Sequence, residues 1–550
     1  MNPPSIQGFG PARPWYRPGE DVIVVARVRA DEPVVAHVTL TALDLDHEVA
    51  SASLEQEIGL DAEQVELTLS LPSAPRRGYG LRLDVATAAD PDTARSEWEV
   101  LEGCLQSPRH AAVTEYADAG GAACAMRDLA GWQVNVVQHY DWMWRHYRYR
   151  PPDDAELFED VLGRTVSHEA LRASIAAGHE AGIAAMAYGA VYGAEPEHVK
   201  RHPDDRVFDE DGEPLSLGGT FYINDIRPGS AWRTRLLGEY VDGVASFGFD
   251  GIHMDTYGPP HTAVAADGEP IAFAELYPGL IEEAAAALDQ AVPGTRVLFN
   301  CVEGFPLESV ASAPAVALYL ELWPPDDSLG DVVRWIDRAR AVADGRQVVM
   351  AAYGTTLKDL EPDADRAAAF AVIPLLGSVI AAAGAHHHTL AEDDRLLVEG
   401  YYPAAVAMTA AESDELRALW RFTARYVHLL SDPRLRVDEP TGLAIRDHAG
   451  RDVPWSTEPE AGSLWIRTSM SPDGRRILHL LDLRDQPDAD WTKPKRVAVP
   501  ATGLRLDWEG VEAVAAMSPW TREGDATELE RDGTGWALPS FRRWLVAVER

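Results

Sequence analysis

Lysine is almost missing. Of 49 basic residues only Lys200, Lys358, Lys493 and Lys495 are lysine; the rest are arginine, set against 88 aspartates and glutamates for a net charge of −39. A surface this acidic repels polyanions, which argues against nucleic acid and anionic membranes as partners. The substrate is then neutral or cationic, or is gripped by something other than overall charge. Together with the richness in alanine and aspartate, the preference for arginine reads as the coding bias of a GC-rich genome; a salt-adapted surface is the alternative. Cysteine is as scarce. Cys104, Cys124 and Cys301 are odd in number and widely spaced, which excludes a disulfide framework and zinc-ligand spacing. The N-terminus, MNPPSIQGFGPARPWYRPGED, has neither a basic n-region nor an apolar h-region. No membrane-spanning segment is read from the sequence, so the chain is expected in the cytoplasm, or outside the cell if a leader has been removed. Internal repeats and long low-complexity tracts are also missing. With 46% hydrophobic and 25% charged residues the composition is that of a folded globular protein, not a disordered one.

What is present divides the chain into three. Residues 1–105 carry period-two alternation in VIVVARVRA (22–30), AHVTLTALDL (36–45), VELTLSLP (65–72) and YGLRLDVAT (79–87). Several short strands with turn residues between them predict an antiparallel, immunoglobulin-like β-sandwich. Residues 106–432 alternate short apolar runs with alanine-rich, helix-periodic stretches. The runs are WQVNVVQHY (132–140), GIAAMAYGA (182–190), TFYIND (220–225), GIHMD (251–255), RVLFN (296–300), AVALYLEL (315–322), QVVMAAY (347–353) and GSVIAAAGA (377–385). Eight strand–helix units predict a (β/α)8 barrel, with a doubly wound open sheet as the alternative. Residues 433–550 return to strands and predict a C-terminal antiparallel β-domain of Greek-key type.

In such a barrel the active site lies at the C-terminal ends of the strands. The residues there are Tyr140, Asp141, Trp142, Arg145 and His146; Tyr188; His253 and Asp255, with Tyr257 beyond; Asn300 and Glu303; Glu321 and Trp323; Tyr353; and His386, first of three consecutive histidines. Carboxylates, amides and aromatics together, without metal spacing or a phosphate-cradling glycine loop, suit a neutral sugar: rings stack on its apolar faces and carboxylates bind its hydroxyls. Strand parity sharpens the choice, because side chains two apart share a face. His253 and Asp255 point together, opposite Ile252 and Met254; Tyr319, Glu321 and Trp323 point together, opposite Leu318, Leu320 and Leu322. The apolar set packs on helices, so Asp255 and Glu321 face the barrel mouth. A spacing of about 5–5.5 Å between them would mean a retaining mechanism. An Asp after a strand is often a helix cap, but Gly-Pro-Pro follows Asp255 rather than a helix. Glu321 in an apolar strand has no cheap structural excuse, since a buried carboxyl must be paired or functional. Glu303 is the competing acid, or a solvated loop carboxylate. Trp142 and Trp323 are sugar platforms or core. Three consecutive histidines alternate faces and do not readily ligate one ion, so no metal or other cofactor is expected.

The segments QHYDWMWRH (138–146), AMAYGAVYGA (185–194), FGFDGIHMDTYG (247–258), LFNCVEGF (298–305), LYLELW (318–323) and IAAAGAHHHTLAEDDRLLVEGYYP (380–403) resemble glycoside hydrolase family 66, the dextranases and cycloisomaltooligosaccharide glucanotransferases. The resemblance implies retaining cleavage of α-1,6-glucosidic bonds in dextran or isomaltooligosaccharides, with Asp255 as nucleophile and Glu321 as acid/base. It implies sugar binding by Tyr140, Asp141, Trp142, Arg145 and His146. It also implies that cyclising members carry a carbohydrate-binding insertion within the barrel, for which this sequence leaves no room between strand seven and its helix; hydrolysis is favoured on that ground. Exo-acting or transferring action on short, possibly cyclic, oligosaccharides or another sugar is the alternative, and a non-catalytic carbohydrate-binding protein a third. The oligomeric state is left open.

Overall fold

The computed structural model describes residues 4–70, 76–87, 91–521, 524–533 and 535–550. Residues 71 and 72 of the expected strand 65–72 lie outside them. Small antiparallel sheets at both ends flank a larger core of helices and strands. The N-terminal part holds a three-stranded sheet (Ser5–Pro11, Val22–Arg29, Glu63–Leu69) against a five-stranded one that includes Val34–Asp44, Arg77–Ala86 and Asp92–Val100. Its strands alternate buried and exposed residues as their sequences do: Val22, Val24, Ala26 and Val28 all point inward. The C-terminal part pairs a seven-stranded with a four-stranded sheet. Each end has an apolar cluster of its own.

The core sheet contains, in chain order, β1 (His110–Val113), β2 (Val136–His139), β3 (Ala184–Ala190), β4 (Gly251–Asp255), β5 (Arg296–Val302), β6 (Ala317–Glu321), β7 (Gln347–Ala351) and β8 (His386–His388). Each pairs in parallel with the next. The sheet is curled and mixed. Just past β8, Leu390–Ala391 pairs in parallel with Ala111–Ala112 of β1, and two short antiparallel pieces, Arg395–Leu396 and Val406–Ala407, follow. Gly251 opens β4 because the strand runs against Arg296: a Cβ there would lie 2.1 Å from that residue's carbonyl oxygen.

Two of the eight expected strands are corrected. Phe221–Ile223 is a strand, but it pairs antiparallel with Gly193–Ala194 and Ser216–Leu217 in a hairpin outside the core sheet. Residues 377–383 belong to the helix Arg366–Ala383, whose N-cap is Asp365 and whose end is Gly384 at φ 92°. Periodicity misreads this segment because residues 369–383 are buried on every side, so no polar face marks a helix. The strands in their place are β1, only His-Ala-Ala-Val, and β8, the histidine run itself. The same helix bears on the expectation that no segment spans a membrane. Residues 367–385 carry no charge, and among the described residues this helix is long and apolar enough to cross a membrane; 83% of it is buried inside the protein, as a core helix is.

The helices that follow the strands start where capping chemistry places them. Ser328 and Asp331 form a capping box ahead of Leu329–Val342, and Thr409 and Glu412 another ahead of Ala410–Arg425. These caps fix the loops leaving the C-terminal strand ends, where the site lies.

Candidate active site

Parity along the core strands sorts the side chains as expected. Ile252, Met254, Leu318, Leu320 and Leu322 pack outward with the helices, while Tyr319 and Tyr353 join an inner cluster with Val136, Met186 and Leu298. The inner set ends in a cleft of about 540 Å³ at the C-terminal strand ends. Asp255, Glu321, Tyr140, Asp141, His146, Tyr188, Tyr257, Trp323 and Tyr353 all border it. A cavity of about 470 Å³ at the opposite strand ends is lined by Glu97, which Arg421 neutralises at 2.8 Å, and the exposed Glu180.

Asp255 and Glu321 are joined by one amide. Nδ2 of Asn300 donates to Asp255 Oδ1 at 2.8 Å and to Glu321 Oε2 at 2.5 Å, so those two oxygens are at most about 5.3 Å apart. The Tyr188 hydroxyl donates to the other oxygen of Asp255 at 3.0 Å. Trp323 Nε1 and the Tyr353 hydroxyl donate to Glu321 Oε1 at 3.0 and 2.9 Å. Burial and the neighbouring charge of Glu321 push the Asp255 carboxyl well above the usual carboxylate range, against the pull of Asn300 and Tyr188. Burial likewise raises Glu321, opposed by Asn300, Tyr353 and Trp323. Two desolvated carboxyls this close do not readily ionise together, so they titrate as a pair that holds one proton between them.

A second polar group forms one wall. Asp141, in the left-handed region at φ 46°, faces His146, whose Nε2 lies 3.4 Å from Asp141 Oδ1 and whose Nδ1 lies 2.9 Å from Glu195 Oε1. Burial opposes the imidazolium, but the two carboxylates outweigh it and push His146 up to about 10. Arg164 approaches Asp141 at 3.8 Å. Asp141 is thus a charge-compensated carboxylate held at the cleft wall. The preceding residue, Tyr140, packs between Tyr188 and Tyr402 with ring centroids 4.8 and 4.6 Å away.

Six expected residues do not border the cleft itself. Trp142 is fully buried, its indole donating to the Tyr188 carbonyl at 3.1 Å while its ring packs on Tyr149, Phe247 and Phe249. The Arg145 guanidinium lies over Trp144 and donates to the Glu159 carbonyl, away from the cleft. His253 is one residue pair deeper in β4 than Asp255, against Tyr319. Asn300 is 2% exposed and is spent on the two carboxyls, so it positions them. Glu303, at φ 54°, faces a separate hollow with Phe305, Trp335 and Arg338. His386 begins β8 and meets Gln347, the first residue of β7, at 3.0 Å, which puts it at the far end of the strands. His387 bonds the Ala352 carbonyl and His388 the Tyr319 hydroxyl, and among the described residues no group of three or more His, Cys, Asp or Glu side chains is placed to hold a metal.

Sequence reasoning missed Gln138, Leu162, Leu217, Phe221, Tyr401 and Tyr402, which also border the cleft. Gln138 was reachable by parity with Tyr140. Tyr401 and Tyr402 carried only the signal of paired aromatics in EGYYP. Leu162, Leu217 and Phe221 come from excursions whose placement no local pattern reveals.

Residues 12–531 match the model of glycosyl hydrolase family 66. Two cycloisomaltooligosaccharide glucanotransferases of Niallia circulans are 25% and 26% identical to the chain over 366 and 363 residues, 62% of this chain and 37% of each relative. The matched part therefore spans little more than a third of those relatives. Among solved structures, a Paenibacillus sp. cycloisomaltooligosaccharide glucanotransferase complexed with cycloisomaltoheptaose superposes with a TM-score of 0.88 at 20% identity, covering 99% of both chains. At that identity the likeness establishes a shared fold. With a family match that runs over nearly the whole chain, the protein belongs to glycosyl hydrolase family 66.

Proposed function

We propose that the protein is a retaining enzyme of α-1,6-linked glucans that moves glucosyl units from short isomaltooligosaccharides to an acceptor hydroxyl, with water as the competing acceptor. The observation that carries this reading is the Asn300 bridge, which keeps Asp255 Oδ1 and Glu321 Oε2 within about 5.3 Å of each other. A bridge this short supports direct attack by one carboxylate rather than the wider gap an inverting enzyme keeps for water. Asp255 attacks the anomeric carbon while Glu321 gives its proton to the departing glycosidic oxygen. In the second half Glu321 takes the proton of the incoming hydroxyl as that oxygen displaces Asp255. The monoprotonated pair is the state this cycle starts from. Asp141, charge-compensated by His146 and Arg164, receives sugar hydroxyls, and Tyr140, Trp323 and Tyr401 offer ring faces.

The glucanotransferase relatives support transfer over hydrolysis. Hydrolysis of polymeric dextran is the second reading. Only residues 352–365 join β7 to the next helix, which supports linear rather than cyclic products. We further propose that the curled core sheet acts as a (β/α)8 barrel, its two ends tied through 386–391. Residues 1–105, 106–432 and 433–550 are then an immunoglobulin-like sandwich, the barrel, and a Greek-key domain. The separate apolar clusters of the two ends support this division.

The test is a product time course with wild type and Asp255→Asn side by side, on dextran and on isomaltooligosaccharides of graded length. Longer and shorter oligosaccharides arising together from one isomaltooligosaccharide, absent with the variant, are expected. Release of mid-length products from dextran without transfer products turns the assignment to an endo-hydrolase. Inertness toward both polymers and oligosaccharides removes the α-1,6-glucan assignment.

A further inference from the structure

Beneath the cleft a file of hydroxyls leads from Glu321 into the protein. Glu321 Oε1 accepts from the Tyr353 hydroxyl at 2.9 Å; Tyr353 and Tyr402 hydroxyls are 3.2 Å apart; Tyr402 and Tyr319 hydroxyls are 3.5 Å apart; and the Tyr319 hydroxyl is 2.8 Å from His388 Nδ1. Tyr319 and His388 are both fully buried and neither borders the cleft, so neither touches substrate. Their polar atoms have no role in the double displacement as derived so far.

The direction of the file follows from its inner end. Nε2 of His388 is buried without a partner among the described residues. A buried N–H left orphaned is rarer and dearer than an under-used acceptor, so the proton sits on Nδ1 and is donated to the Tyr319 oxygen. That frees the Tyr319 proton for Tyr402, the Tyr402 proton for Tyr353 and the Tyr353 proton for Glu321. All the O–H dipoles then point the same way, and each bond polarises the next. The groups around the file carry no competing charge at neutral pH. His110 stacks on His388 at 5.7 Å, His253 meets Tyr319 at 4.7 Å, and His387 bonds the Ala352 carbonyl. Burial holds His110, His253 and His387 at about 4, 3 and 4, and His388 well below its usual value. The charges that act on Glu321 are Asp255 across Asn300 and, from the neighbouring hollow, Glu303.

Resting on the reading of Glu321 as acid/base, we propose that Tyr319 and His388 are positioning residues which, through Tyr402 and Tyr353, align donors on Glu321 and set the pH at which it releases its proton. The sign is fixed. The file stabilises the ionised carboxylate, so it lowers the pH at which Glu321 ceases to be an acid. Cutting it raises that pH.

The test is the pH dependence of kcat/KM on isomaltotetraose for full-length wild type, Tyr319→Phe, Tyr402→Phe and the double variant. The alkaline limb is expected to move up by on the order of half a unit in Tyr319→Phe. Tyr402→Phe moves it the same way, and the double variant goes no further than the larger single shift, because the bonds are in series. If Tyr319→Phe does not fold, Tyr402→Phe decides alone. A limb that stays put or moves down while the rate falls equally at all pH values overturns the proposal and leaves packing as the role. Glu321→Gln separates the two layers. Its inactivity together with an unmoved limb defeats this inference alone, whereas wild-type activity in Glu321→Gln defeats the assignment of Glu321 itself.

Discussion

Replacing Asp255 by Asn should stabilise the protein while destroying its turnover. At a pH where both are ionised, two buried carboxylates whose Asn300-bridged oxygens are at most about 5.3 Å apart repel by about 3 kcal/mol at the effective dielectric constant of about 20 that suits buried sites. Asparagine keeps the shape and removes the charge. Its carbonyl still accepts from Asn300, and its amide donates to the Tyr188 oxygen, at the loss of about 1–2 kcal/mol of charge-assisted hydrogen bonding. The net gain is about 1–2 kcal/mol. The pH dependence gives the sharper reading. The Asp255–Glu321 pair keeps one proton above the ordinary carboxylate range in the fold. The native state therefore holds a proton that the unfolded chain gives up from about pH 4 upward, and wild-type stability falls as pH rises through that interval. The variant lacks this loss. Thermal melts at pH 8 and pH 5, followed by calorimetry, should show Asp255→Asn melting above wild type at pH 8 and close to it at pH 5. Turnover should fall at least 10³-fold, since the covalent path is gone. A variant that melts lower at pH 8, or whose difference from wild type is the same at both pH values, refutes the picture of a strained carboxyl pair.

Asn300→Ala removes the donor common to both carboxyls. It is expected to lower kcat by about 10²-fold, as loss of one charge-assisted bond in a site does, and to raise both limbs of the pH profile. Arg145→Ala should leave kcat/KM within about twofold, because that side chain lies on Trp144 and away from the cleft; a tenfold loss would place it in the substrate path. Leu162, Leu217 and Tyr401 are 44%, 52% and 37% exposed at the rim. Tyr401→Ala should raise KM for longer oligosaccharides about tenfold, the weight of one stacked ring, with little change in kcat. Equal effects on kcat and KM for all chain lengths would contradict a rim role.

The parts of this account that were legible in the sequence are those governed by strict local rules. Alternation marked the N-terminal strands, and two-residue parity put Asp255 and Glu321 on the inward faces of their strands. Where two structures share one local pattern, the sequence misled. The helix Arg366–Ala383 is buried all round, so its apolar run looks like a core strand. His-Ala-Ala-Val of β1 is too short and too poor in β-formers to announce itself. Phe221–Ile223 has strand character but pairs in a side hairpin, which only tertiary contacts decide. In the site, inward-facing strand residues were found and loop residues were not. Asn300 was expected at its strand end and His253 on the inward face with Asp255, yet one binds the carboxyls and the other lies a layer below, a difference of depth that parity does not encode. Trp142 joined the core because outward aromatics after a strand pack on helices.

The central claim is that Asp255 and Glu321 act as a nucleophile and acid/base pair. It is tested most directly by the anomeric form of the first product. Wild-type enzyme acting on isomaltotetraose is followed by proton NMR faster than mutarotation. Newly formed reducing ends in the α configuration, with β appearing only later, are the result of double displacement. Reducing ends that appear first as β would show single inversion and contradict the arrangement built around Asn300.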